Sequence, residues 1–181
     1  MKSKIKKYLD KNKEFRIYTT ESKEKTIEDD LISLSSMSSI LLSQDERITF
    51  NFKSKNGDKI INTDIYSDYH FSYKINNQIL NNGLLFVTKS KLKNFGASYN
   101  TILDYNTLNL INIFEDYYNQ SEQMEVSIDR IDNYIVLIQP LPFFNWKNYE
   151  QIKSSLYHNF DLTINDCILT GNVVIDYQTQ V

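Results

Sequence analysis

A single cysteine, Cys167, stands in 181 residues. A lone thiol closes no internal disulfide, so nothing points to a secreted, stapled framework. With only two histidines, His70 and His158, a Cys/His cage for a structural metal is not expected. The four glycines are scattered, which excludes a Gly-rich loop that cradles phosphate. No apolar run approaches the ~20 residues that a membrane span needs. The N-terminus is rich in lysine (Lys2, Lys4, Lys6, Lys7), but no apolar stretch follows it, so it does not read as a signal peptide. The net charge of −3 leaves no basic footprint for nucleic acid. The cytoplasm is the expected compartment, with no membrane and no nucleic-acid partner.

The chain is rich in core-forming residues. Hydrophobic residues make up 41% and aromatics 13%, which excludes a disordered segment. A chain of this length reads as one domain over residues 1–181 and buries roughly 70% of its extended surface without staples. Asn, Ile and Lys are used heavily, a pattern of AT-rich coding, so Asn is discounted as a turn marker.

Residues 114–142 organise the rest. Met124, Val126 and Ile128 alternate with Glu125, Ser127 and Asp129, the period-two pattern of a strand with one wet face. Asp132 and Asn133 supply a turn. Tyr134–Ile138 is apolar without a break, as in a strand covered on both faces. Pro140 and Pro142 remove backbone donors and end the pairing.

Elsewhere, Ile27, Leu31, Leu34, Met37 and Leu41 recur at helical spacing, with Thr26 as N-cap and Asp29 and Asp30 in the first turn. The helix is predicted over 26–43. Its serines (Ser33, Ser35, Ser36, Ser38, Ser39) are small enough for close packing on a sheet. A catalytic serine is not indicated, because there is no Gly-x-Ser-x-Gly elbow and no neighbouring histidine. Strands are predicted around Tyr8, around Phe15 and Ile17 as a second strand, over Ile48–Phe52, over Ile60–Tyr66 after an Asn56-Gly57 turn, over Tyr69–Ile75, and as a short buried strand at Leu84–Val87. Turns are expected at Asn76-Asn77 and Asn81–Gly83. Residues 1–13 read as a basic, partly frayed end, and 89–100 as basic and irregular. A second helix is expected from about Tyr105 to Gln120, a third over Asn145–His158, and a terminal strand around Val173, Ile175 and Tyr177.

Tyr117-Tyr118-Asn119-Gln120-Ser121-Glu122-Gln123-Met124 resembles the aromatic-x-x-Ser-Glu-Gln-Leu segment of the bacterial 33-kDa heat-shock protein family. The apolar strand that follows ends in Gln139-x-x-Pro142, matching the family's next signature, Gln-x-x-Pro. The motif positions are Ser121, Glu122, Gln123, Gln139 and Pro142. The resemblance implies an α+β fold: a large antiparallel or mixed sheet with helices packed on it, like the family's N-terminal domain, with residues from about 145 to 181 as a C-terminal helix and tail. It also implies a redox-regulated holdase chaperone. The family's zinc module, with Cys-x-Cys and Cys-x-x-Cys, has no counterpart here. The sequence ends about where its first cysteine pair is expected, so neither zinc nor any other cofactor is expected, nor a redox switch. The family's paired glycines before the Gln-x-x-Pro strand are also replaced, by Asn133 and Tyr134.

No enzyme chemistry is indicated. Asp64, Asp68 and His70 have a loosely metal-like spacing that matches no known motif, and Glu122 after a helix has the simpler role of satisfying backbone donors. The expected function is ATP-independent binding of unfolded or aggregation-prone proteins. The candidate client surface is Tyr66, Tyr69, Phe71 and Tyr73, for which core packing is the competing reading. The alternative function is a non-chaperone binding module with a dedicated partner. The resemblance further allows a homodimer formed by segment exchange.

Overall fold

The structure, a computed structural model, describes residues 1–76, 81–93 and 98–181. The expected turn residue Asn77 and part of the 89–100 stretch lie outside them. Ten strands and four helices follow in the order β1 (Lys2–Leu9), β2 (Phe15–Glu21), α1 (Ile27–Leu41), β3 (Glu46–Lys53), β4 (Lys59–Tyr66), β5 (His70–Ile75), β6 (Gly83–Lys91), β7 (Tyr99–Tyr105), α2 (Leu110–Ser121), β8 (Ser127–Ile131), β9 (Tyr134–Pro140), α3 (Trp146–His158), α4 (Phe160–Asp166) and β10 (Ile168–Thr179).

The strands form one mixed sheet, ordered β7-β6-β3-β4-β5-β10-β1-β2-β9-β8. Every neighbouring pair is antiparallel except β5 with β10. The expected α+β fold is therefore present. The terminal strand is the joint of the molecule: β10 pairs with β1 on one side and β5 on the other, so the last residues of the chain tie its two halves together.

Helices α1 and α2 lie on one face. The larger core beneath them joins Leu31, Leu34 and Met37 of α1 and Phe114 and Tyr117 of α2 to Ile5, Phe50, Phe52, Ile65 and Phe71 of the sheet. Phe50 stacks on Phe114 with ring centroids 4.5 Å apart. The serines of α1 are buried as expected. Ser35 and Thr63 share a hydrogen bond of 3.2 Å, Ser39 donates to the Tyr66 carbonyl (2.9 Å), and the Tyr118 hydroxyl donates to Ser38 (2.6 Å). Small side chains let the helix approach, and their hydroxyls find partners once water is excluded. Helices α3 and α4 cover only one end of the opposite face, over Phe15, Ile17, Val136 and Ile138. This explains the unbroken apolar run of β9: Ile135 and Leu137 face the first core, Val136 and Ile138 the second.

Several expectations need correction. Tyr8 lies in a strand as expected, but residues 1–13 are not a frayed end: all of Lys2–Leu9 forms β1, inside the sheet between β10 and β2. β6 is nine residues long with alternating burial, not a short buried strand. The 89–100 stretch contains the end of β6 and the start of β7, which sequence periodicity missed because Ile102 puts an apolar side chain on the otherwise polar face of Tyr99–Tyr105. Tyr105 closes β7, and α2 begins at Leu110 with the Asn109 side chain accepting from the Asn112 amide. Regular pairing after α2 starts at Ser127, not Met124: Gln123 takes a left-handed turn (φ 52) and the Met124 amide bonds back to the Tyr118 carbonyl.

Candidate functional site

From β7 to β10, the sheet face opposite α1 and α2 carries no helix among the described residues. Strand alternation dictates its composition. Arg47, Thr49, Asn62, Asp64, Tyr66, His70, Ser72 and Lys74 point there because Ile48, Phe50, Ile61, Ile65, Phe71 and Tyr73 point into the core. Asp64 is the hub. Arg47 donates to it at 2.8 Å and Thr49 at 2.5 Å, while Asn62 and Gln180 donate to its other oxygen at 3.3 and 2.9 Å. Burial pulls the Asp64 pKa up, but the hydrogen bonds from Arg47 and Thr49 outweigh it and hold the carboxyl below its ordinary value. Gln180 also donates to Ser72 at 3.0 Å, so the chain end is pinned into this network. The cleft around this network encloses about 470 Å³ and is lined by Arg47, Thr49, Asn51, Asn62, Asp64 and Lys74.

A second polar cluster sits under the end of α2. Glu122, the helix C-cap, accepts from the Tyr117 hydroxyl (2.6 Å) and from Lys89 Nζ (2.8 Å), and Lys89 lies 3.5 Å from Glu46. Burial lowers the Lys89 pKa, yet the two carboxylates raise it overall; burial and Glu122 raise that of Tyr117. A charge network of this kind fixes the helix end and the turn that follows it. This gives the Ser121-Glu122-Gln123 motif a structural role: Ser121 ends α2, Glu122 caps it, and Gln123 turns the chain. Gln139 and Pro142 flank the end of β9.

The four aromatic candidates do not form one surface. Phe71 and Tyr73 are 1% and 3% exposed and belong to the core, where Phe71 stacks on Tyr177 and Tyr73 donates to Glu28 at 2.6 Å. As the molecule stands they offer nothing to a client, because the β5 register turns them towards α1. Tyr66 lies half-buried on the open face, stacked on His70 at 4.3 Å, and Tyr69 is 40% exposed in the β4–β5 turn, where φ is 68°. Asp64, Asp68 and His70 do not converge: His70 pairs with Asp68 at 2.5 Å, while Asp64 is held by Arg47. Cys167 donates to the Thr163 carbonyl, and its thiol is pushed up to about 11, by burial first and by nearby Asp10 and Asp166. A four-thiolate zinc centre does not fit residues that hold one cysteine.

The exposed apolar side chains missed by sequence reasoning lie elsewhere, at separate places on the molecule. Phe143 and Trp146 project before and at the start of α3, Leu162 and Leu169 from α4 and β10, and Ile102 from the edge strand β7. Phe143 gave one signal in the sequence: it follows Pro142 in a short connection, with no helical or strand period to place it. No helix among the described residues is long and apolar enough to cross a membrane.

The chain is similar in fold to the crystal structure of a 33 kDa chaperonin (heat shock protein 33 homolog) from Thermotoga maritima. The TM-score is 0.67 over 99% of this chain and 80% of that one, at 11% identity. No protein-family model matches the chain, and no curated protein matches it.

Proposed function

We propose that this chain is an ATP-independent holdase of the cytoplasm that binds unfolded proteins without a cysteine–zinc switch within these residues. The observation that supports the reading is the end-to-end fold likeness to a protein named as a chaperonin. The two motif matches, in the same order, point the same way. A holdase offers apolar surface to non-native chains, lowers their free concentration and slows aggregation. No residue does bond chemistry in this reading. The exposed apolar side chains Ile102, Phe143, Trp146 and Leu162 are better placed for clients than Phe71 or Tyr73. The test is light scattering from a thermally unfolding client, without ATP. Suppression that scales with the ratio of this protein to client supports the holdase; none at several-fold molar excess of folded protein removes it.

One observation favours the second reading, a binding module with a dedicated partner. The open sheet face is polar and pre-organised around Asp64, more like a surface for one specific polar partner than one for varied apolar clients.

A further inference from the structure

The two edges of the sheet are finished differently. The chain entering β8 is sealed by side chains of α2. Asn119 both donates to the Val126 carbonyl (3.1 Å) and accepts from the Val126 amide (3.0 Å), imitating a neighbouring strand, and Glu115 accepts from the Ile128 amide at 2.7 Å. The opposite edge, β7, has no such seal. It pairs with β6 on its inner side, and among the described residues no backbone or side-chain group bonds to its outer side. Its seven residues carry no lysine and no proline, the devices that ordinarily blunt an exposed edge.

Beside this open edge runs a groove of 350 Å³ whose far wall is α2. Ile102, Asp104 and Tyr105 line the strand side, and Asn112, Asp116 and Gln120 the helix side. Among the described residues no lysine or arginine lines it, and its charged groups are the carboxylates Asp104 and Asp116. A row of backbone donors and acceptors on an edge strand recognises one kind of ligand, an extended polypeptide, and a groove between an edge strand and a helix seats one by strand addition. Asp116, on the α2 side, favours lysine or arginine on the helix-facing side of the incoming strand. Exposed Ile102, on the other face of β7, favours apolar side chains at the alternate positions.

We propose that β7 and α2 form a docking groove in which an extended, basic–apolar segment of an unfolded polypeptide adds to the sheet as an eleventh strand. As a client site this rests on the holdase reading; as a peptide groove it stands without it.

The probe is a fluorescein-labelled, end-capped peptide of about ten residues alternating valine and lysine, long enough to span β7. It is titrated with the full chain and read by anisotropy. Saturable binding is expected. It should weaken by about tenfold or more when the lysines become glutamates, and comparably in Asp116→Lys, an exposed position of α2 whose change leaves circular dichroism unaltered. Two further probes carry N-methyl groups on alternate amides, one on each set. Strand addition requires that one set abolishes binding and the other spares it. No binding, or equal effects of the two sets, overturns the proposal. So does a dimer, seen by sedimentation velocity, that the peptide does not dissociate, because β7 is then occupied by a second copy. Client suppression by the wild-type chain that Asp116→Lys leaves unchanged, and that the peptide does not compete away, keeps the holdase but removes this groove as its site. Peptide binding with no client suppression keeps the groove and removes the holdase.

Discussion

Asp64 shows how a residue on a polar strand face becomes a structural anchor. Its pKa is held below the ordinary 3.8, so the folded chain binds fewer protons there than the unfolded chain. The resulting stability is present above the unfolded value and lost as pH falls through the depressed folded one. Asp64→Asn should therefore cost about 1–3 kcal/mol near neutrality, the worth of hydrogen bonds to a charged group, and should flatten the acid limb of melting temperature as pH falls below the ordinary 3.8. A parallel acid limb in the variant would show that Asp64 is not the group that titrates. Gly83 makes a different demand. A Cβ there would collide with the Lys53 carbonyl oxygen and lie 2.7 Å from the Tyr105 hydroxyl, so Gly83→Ala should destabilise by about 1–3 kcal/mol in urea denaturation. Val126, 5% exposed, and Glu125, exposed, test the phase of the entry to β8. Val126→Asp should cost several kcal/mol, on the order of the whole stability of a domain, and Glu125→Lys less than about half a kcal/mol. Equal melting temperatures for the two would mean that the phase is wrong.

Among the elements, α1 and β10 depend most on their surroundings. The serine face of α1 is fitted to the sheet by size: Ser35 is fully buried against Thr63. Ser35→Ala removes one hydrogen bond and should cost about 1 kcal/mol, whereas Ser35→Leu overpacks the contact and should cost about 1–3 kcal/mol or more. Urea midpoints ranked the other way would show that the helix is not held close. Among the described residues, β10 joins β5 to β1 in the strand order. A chain stopped at Asp166 should lose dispersed amide signals in its NMR spectrum, because removing a central strand opens two edges and uncovers Ile5 and Phe71. A dispersed spectrum would mean that the two halves fold separately.

For the whole molecule, the redox behaviour is the decisive property. Cys167 is a neutral thiol at pH 7, since burial pushes its pKa up to about 11, and a thiol is a poor nucleophile towards peroxide. Suppression of client scattering should thus be equal in reduced and peroxide-treated protein, and equal again in Cys167→Ser. Activity that arises only after oxidation would contradict a switch-free holdase.

The sequence by itself determined what rests on local period and local chemistry. Helix α1 with its Thr26 cap, the alternation of β3, β4 and β5, the two-residue turn at Asp132-Asn133 and the doubly covered β9 were all legible, because each is written in consecutive side chains. The role of Glu122 was not: it reads as an acceptor for backbone donors, but its carboxylate accepts from the Tyr117 hydroxyl and from Lys89, which β6 brings to it from far along the chain. Tertiary structure alone decided what rests on partners far apart in the chain. Residues 1–13 read as a basic, partly frayed end with Tyr8 alone as a strand position, yet pairing with β10 and β2 makes Lys2–Leu9 a central strand, and a lysine alternating with Ile5 can sit on the open face at little cost. The aromatic run at β5 reads as a candidate client surface against the stronger competing reading of core packing; its parallel register with β10 and the contact with α1 chose the core for Phe71 and Tyr73. The unsealed edge at β7 and its groove with α2 were invisible for the same reason. Which strand lies at an edge is a property of pairing order, and no window of sequence contains it.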